Sequence, residues 1–464
     1  GNAESKVRQG VTLDIIGESQ TVAPLQGPVR EEYVAEHRRR NGIEADWTTF
    51  TGYFQRLMKD GIAMNVASGV SPQQVKRVVV GFKERPATAK EQEEMNRLIA
   101  QAMEEGALGL TSAWHSRGPE HPEEVVEMAR VVKRYGGYYG VHVGSEGYDI
   151  MEELEKALRI GREVDIAVHI YHLKTKVWSG DSPRSIRDII GRIEEARREG
   201  LDVTANQYPY AAFQHPWHRF MPRWLQDAPR GETIPLLKDR GFRERIIGDP
   251  EFNQLLNEHG GWKCVVGSRF DKPELKPFEG MTVAEIAKIR GQDPANTCFD
   301  LIVEEGIFIP GVYPALSEDD VRTVMRLPWV SVASDGSAFN LKYPGKPHPR
   351  SFGTNPRVLG KYVREEKVLA LEEAIRKMTS LPAQVLRLKD RGLIREGYQA
   401  DIVVLDPDTV TDIASFDTPK QYAHGVEYVL VNGALVIDAG HHTGARPGRV
   451  LYGPGTRTRK GQTA

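Results

Sequence analysis

Five places in the sequence put ionisable side chains at or just past the end of a short apolar run. Glu18 follows the run 11–17, and His142 lies within 138–143 with Glu146 just after it. His172 and Lys174 close 166–173, Tyr208 and Tyr210 follow 201–205, and Asp335 follows 329–333. Two imidazoles and two carboxylates drawn from separate strands are donors that suit zinc. That ion takes nitrogen and oxygen ligands, and in catalytic sites it keeps one position open. Taken singly, each residue has an ordinary explanation. A strand-end histidine is more often a hydrogen-bonded structural residue than a ligand. An aspartate before glycine, as in Ser334-Asp335-Gly336, is often a turn former. Two observations favour the chemical reading. The run 166–173 is almost wholly apolar, so the imidazole at its end is not there for solubility. Independent turn formation on several strands would not select these residue types together.

The elements that must position these groups alternate. The apolar, β-branched runs 11–17, 106–113, 138–143, 166–173, 201–205 and 329–333 read as strands. Between them lie helical patterns. Residues 89–105 place Met95, Leu98, Ile99, Ala102 and Met103 on one face, and 122–135 opens with Pro122, Glu123 and Glu124, a helix start. The stretches 150–163 and 182–199 follow the same rule. Such alternation predicts a parallel sheet covered by helices, with its active site at the strands' C-terminal ends. Residues 211–300 are rich in Pro, Trp and charge and break the rhythm as an insertion. Beyond about residue 390 the Asn432-Gly433 turn between two apolar runs signals a hairpin and a small antiparallel β module.

The remaining histidines are expected to be structural. His169 stands three residues before His172, so strand alternation sends the two to opposite sides, His172 inward and His169 toward the helices. His115, His121, His215 and His218 read as surface or rim residues, and His441-His442 as solvated loop in the tail hairpin. Cys264 and Cys298 are the two cysteines, which excludes a disulfide framework or a thiolate zinc cluster. The balance of 62 Lys+Arg against 64 Asp+Glu excludes a globally basic nucleic-acid binder. No apolar run approaches the length of a membrane-spanning helix. Neither cysteine stands at a strand end and no Gly-x-Ser-x-Gly elbow is present, so metal-activated water fits the residues better than a nucleophilic side chain.

At these residues the chain resembles the N-acyl-D-amino-acid deacylases (D-aminoacylases) of the amidohydrolase superfamily. The resemblance runs over nearly the whole chain. It is carried by Gln9 to Thr12 with Gly17-Glu18, Gly106 to Leu110, Tyr138 to Gly147, Tyr171-His172-Leu173-Lys174 and Tyr208-Pro209-Tyr210. Further on it is carried by Ser334-Asp335-Gly336, His348 to Gly353, Leu371 to Leu381, Gly397 to Asp401 and Val431-Asn432-Gly433. It implies an α/β fold, a distorted (β/α)8 TIM-type barrel over 1–390 with the insertion around 211–300, and a small β-sandwich module over 391–464. The implied reaction is metal-dependent hydrolysis of the amide of an N-acyl-D-amino acid, a small-molecule substrate, by a chain that could form an oligomer. The resemblance makes His142 and His172 the imidazoles on one tightly held zinc. It makes Asp335 the proton carrier between water and leaving amine. Lys174 and Tyr208 become candidates for holding the substrate's carboxylate and carbonyl.

Two departures stand against the family pattern. Many members carry a bridging cysteine where this chain has Glu18, which moves metal preference toward harder ions. The family's His-x-His pair belongs shortly before Gly1, and no His-x-His occurs in the 464 residues. The expectation is therefore a barrel without its first strand, a truncated chain, and no full second metal site. Two other functions remain: a cyclic amidohydrolase of the dihydroorotase or hydantoinase kind, or a non-catalytic remnant.

Overall fold

The computed structural model describes residues 1–18, 20–82, 85–113, 121–176, 185–226, 228 and 230–456. Six strands come first along the chain: β1 Leu13–Ile16, β2 Asn65–Ser68, β3 Gly109–Ala113, β4 Tyr138–His142, β5 Val168–Ile170 and β6 Val203–Gln207. Three follow at β7 Phe213–Pro216, β8 Val266–Gly267 and β9 Pro310–Tyr313, then β10 Val330–Val332. The last four are β11 Ile402–Leu405, β12 Val426–Val431, β13 Ala434–Asp438 and β14 His441–His442.

The first group and β10 form the frame of the molecule. β1 pairs with β2 in parallel, Leu13 against Asn65. A five-stranded parallel sheet runs in the order β10-β6-β5-β4-β3. The parallel bridge Val70↔Leu110 joins the two sheets. Parallel neighbours need crossovers, and helices supply them: Ala89–Glu104 before β3, Pro122–Arg134 before β4, Ile150–Val164 before β5 and Ile186–Arg198 before β6. The helix Ala89–Glu104 begins where Thr88 and Glu91 form a reciprocal capping box, and Ser185 with Asp188 does the same for Ile186–Arg198. Their apolar stripes, among them Met95, Leu98, Leu154 and Ile193, share one core with Tyr139, Val141, Val168, Ile170, Val203 and Ala205. Ile193 is fully buried, so truncating it to Ala would cost about 2–5 kcal/mol. This is an α/β arrangement whose parallel sheet is consistent with a TIM-type barrel.

The strand 166–173 of the sequence reading is shorter in the structure. Only Val168–Ile170 pairs, and the chain turns at Tyr171 and His172. The β2 strand and the helices Gly27–Asn41, Phe50–Asp60 and Pro72–Val80 had no counterpart in that reading. Lys6 is almost wholly buried between the outer strands of the row, with its ammonium 3.3 Å from Asp14 of β1 and 2.7 Å from Ser334 just after β10.

Between β6 and β10 the chain makes a separate antiparallel sheet in the order β7-β9-β8, over a second core from Tyr208 to Leu316 rich in aromatic residues. The tail makes a four-stranded antiparallel sheet, β11-β12-β13-β14. Its hairpin turns at Asn432 and Gly433, both with positive φ, as the Asn-Gly pair predicts. No helix among the described residues is long and apolar enough to cross a membrane.

Candidate metal centre

Parallel strands all end on the same side, so side chains at their C-terminal ends converge. Glu18 lies two residues past β1, His142 ends β4, and His172 lies two residues past β5. The His142 ring places Nδ1 2.7 Å from Glu18 Oε1, and the His172 ring places Nε2 2.9 Å from the same oxygen. The ring centroids are 4.3 Å apart at 77°. Each residue offers one ligand atom, and all three atoms lie within 4.8 Å of one another. Two imidazole nitrogens and one carboxylate match the three-ligand sets of catalytic zinc sites, so the residues present fit such an ion.

The electrostatics follow from this crowding. Burial alone would raise the Glu18 carboxyl, but the charge of His172 and hydrogen bonds from both rings outweigh it and hold the group well below the usual carboxylate range. For His172, burial and the nearby Lys174 push downward. The carboxylates of Glu18 and Glu146 prevail and raise the imidazole to about 9. His142 is shifted down by burial and by His172, against the pull of Glu146 and Glu18.

His172 is held from every side. Its backbone N–H donates to Asn206 Oδ1 at 2.6 Å, and its φ of 36° lies in the left-handed region that a non-glycine residue adopts only under local constraint. Its Nδ1 lies 3.0 Å from Glu146 Oε1 and 2.6 Å from Lys174 Nζ. Lys174 also donates to Glu146, and Lys176 Nζ lies 3.1 Å from Glu146 Oε2.

The other candidates surround this group. Tyr208 is buried; its ring is 6.2 Å from that of His172, and its hydroxyl has no hydrogen-bond partner among the described residues. Lys174 Nζ lies 5.5 Å from the Tyr208 ring centroid and the Arg350 guanidinium 4.8 Å. Asp335, with φ 45°, places Oδ2 2.6 Å from Arg350 Nη1. Arg350 had no role in the sequence reading. It stands inside the stretch His348 to Gly353, but its partner is separated from it in sequence, and no local pattern announces such a pair.

Four histidine assignments need correction. His169 does not face the helices. In register it stands beside Gly140 and Thr204, on the opposite face from core residues Val141, Ile170 and Ala205. Its Nδ1 lies 2.8 Å from Thr204 Oγ1, and Asn206 Nδ2 donates to its Nε2 at 3.1 Å. Alternation fails because His172 has left the extended backbone on which the period of two depends. His215 and His218 are not surface residues either. His218 is buried, and His215 packs against His259 with their Nε2 atoms 2.7 Å apart. His442 is part of β14, an edge strand, with Nε2 3.0 Å from the carbonyl of Asn2. His115 and Ser19 lie outside the described residues.

Residues 63–437 match the amidohydrolase family. The chain belongs to that family and is a hydrolase acting on amide bonds. Within it, the N-acyl-D-amino-acid deacylases are its relatives. It is 31% identical over 455 residues to a D-aminoacylase of Alcaligenes xylosoxydans xylosoxydans, covering 96% of this chain and 82% of that one. An N-acyl-D-glutamate deacylase of the same organism is also 31% identical, over 97% of this chain and 81% of its own. Among solved structures, a D-aminoacylase studied for its binuclear metal centre superposes with a TM-score of 0.74 at 29% identity, covering 97% of this chain and 85% of that one. The N-acyl-D-glutamate deacylase of Bordetella bronchiseptica, solved with zinc and a phosphonate mimic of the tetrahedral intermediate, gives 0.75 at 26% over 97% and 84%.

Proposed function

We propose that this amidohydrolase cleaves the amide of N-acyl-D-amino acids with one zinc ion held by Glu18, His142 and His172. The single observation that carries the reading is the convergence of those three ligand atoms within 4.8 Å at the strand ends. The names of the relatives support the substrate class. An ion bound there supplies Lewis acidity toward the scissile carbonyl and makes a water acidic enough to attack near neutral pH. Asp335 is the base for that water and then the acid toward the departing nitrogen, since amines leave poorly as anions. Arg350, 2.6 Å from Asp335 Oδ2, holds the carboxylate aimed between these two duties. Tyr208 offers a substrate oxygen its hydroxyl, which has no partner among the described residues. Lys174 and Arg350, both close to its ring, supply positive charge for a substrate carboxylate. The frame for this chemistry is a distorted (β/α)8-type barrel over 1–390, to which the parallel strands among the described residues belong, with 391–464 as the β module.

The test is direct. Metal is stripped with a chelator, zinc is added back, and hydrolysis of an N-acetyl-D-amino acid is followed beside its L-enantiomer. The expected result is activity that depends on zinc at about one ion per chain and favours the D form. Equal activity after stripping, or hydrolysis of cyclic amides alone, would overturn the reading.

A further inference from the structure

Glu146 is a carboxylate beside the cluster that is not among the three converging ligands, yet it is more deeply buried than Glu18. Its side chain is 4% exposed, against 31% for Glu18. A buried charge persists only where it is paired, and Glu146 is paired on both oxygens. Oε1 accepts from Lys174 and stands 3.0 Å from His172 Nδ1, while Oε2 stands 3.1 Å from Lys176 Nζ. It is also 3.9 Å from His142 Nε2, too far for a hydrogen bond. The contact with His172 is therefore selective for one of the two imidazoles.

We propose that Glu146 is a positioning residue: it orients His172 for metal through Nδ1 and tethers Lys174 on the same oxygen. The inference rests on the zinc reading above. An imidazole that gives Nε2 to a metal carries its remaining proton on Nδ1, and that N–H needs an acceptor. Of the two groups at Nδ1, Lys174 is a donor and cannot serve. Glu146 Oε1 is the acceptor within reach. With the proton on Nδ1, His172 and Lys174 are two donors set 2.6 Å apart, and Glu146 Oε1 is the acceptor that both reach. One carboxylate therefore couples the state of a metal ligand to the cation proposed to meet substrate.

The experiment measures zinc affinity by competition with a chromophoric chelator, and the visible spectrum of the cobalt-substituted protein, for the parent, Glu146→Gln and Glu146→Asp. A carboxylate behind a ligand histidine is worth about 10–100-fold in metal affinity. Glu146→Gln is expected to lose that much and to displace the cobalt bands, and Glu146→Asp to recover part of both. KM for the N-acetyl-D-amino acid should rise in the zinc-saturated Glu146→Gln protein, because Lys174 loses its tether. Zinc binding as tight as the parent's, or weaker binding with an unchanged cobalt spectrum, would overturn the proposal, the latter reducing Glu146 to a source of negative charge. If Glu146→Gln does not fold, the same two readouts on Glu146→Asp decide the matter. A parent that binds no zinc removes the metal reading itself. A parent that binds zinc with a variant that matches it removes only the role of Glu146.

Discussion

Asp335 and Arg350 are joined at 2.6 Å between Oδ2 and Nη1, and the pair is asymmetric in exposure: 28% for the aspartate side chain, 8% for the arginine. The carboxylate therefore reaches outward from a buried guanidinium. Arg350 uses one face of its charge on Asp335 and another on the Tyr208 ring, at 4.8 Å. An aspartate anchored in this way is held in one orientation before substrate arrives.

Replacing Asp335 by Asn keeps the shape and removes the base. The expected outcome is a fall in kcat of about 10²–10⁴-fold, with KM changed far less. Steady-state kinetics on zinc-loaded protein reads both. Near-parental turnover would return Asp335 to the role of a turn residue.

Tyr208→Phe separates stability from function. A buried hydroxyl that is bonded within the protein costs about 1 kcal/mol to remove, but this one has no partner among the described residues. The variant should melt no lower than the parent. If the hydroxyl meets substrate, KM should rise by roughly fivefold, the equivalent of about 1 kcal/mol. A lower melting temperature with unchanged KM would show that the phenol serves the fold instead.

Glu18→Cys tests the donor chemistry. A thiolate prefers zinc over manganese more strongly than a carboxylate does. The variant should still bind zinc, and competition between the two metals should move toward zinc relative to the parent. An unchanged ratio would exclude Glu18 from the coordination sphere.

The His215–His259 pair makes a prediction about acid. Burial first, and Lys176 second, hold His259 down at about 3; burial, His259 and Lys176 hold His215 well below its ordinary value. The folded protein keeps these rings neutral where the unfolded chain protonates them, near 6.5. Their contribution to stability is complete above that pH and is lost as pH falls from about 6.5 toward 3. Urea unfolding at stepped pH should show the decline, and His259→Phe should flatten it. A variant as acid-sensitive as the parent would contradict this.

The legible parts of the chain were those where one physical rule acts alone. The apolar run at 138–141 and the alternating 201–205, Leu-Asp-Val-Thr-Ala, announce strands, and polar residues at their ends stand out against them. Glu18, His142 and His172 were visible for that reason. β2, Asn65-Val66-Ala67-Ser68, was not, because polar residues occupy both its ends and Val66 is its only β-branched aliphatic residue. His169 was placed on the wrong face because a left-handed residue two positions after the strand breaks the alternation, and sequence does not signal φ at a histidine. Arg350 was missed because an ion pair between distant residues leaves no periodicity.

Glu18 hangs from a different sheet than its two partners. Among the described strands β1 pairs with β2, and that ribbon meets the five-stranded sheet through the bridge Val70↔Leu110, the bond from Leu108 N–H to the Ser68 carbonyl at 2.9 Å and side-chain contacts such as Thr111 Oγ1 to the Gly17 carbonyl at 2.7 Å, while the tail bridges to the ribbon at Val66↔Val450. His142 and His172 follow strands of the larger sheet. An ion shared among the three would fasten the ribbon to the body, and the ribbon would loosen first when it leaves. Hydrogen–deuterium exchange should then show Leu13–Ile16 and Asn65–Ser68 losing protection on chelation while Tyr138–His142 keeps its own. Zinc loss would in that case be a local opening event with its own rate, and the lifetime of the active enzyme in a chelating medium would be set by the ribbon rather than by global unfolding.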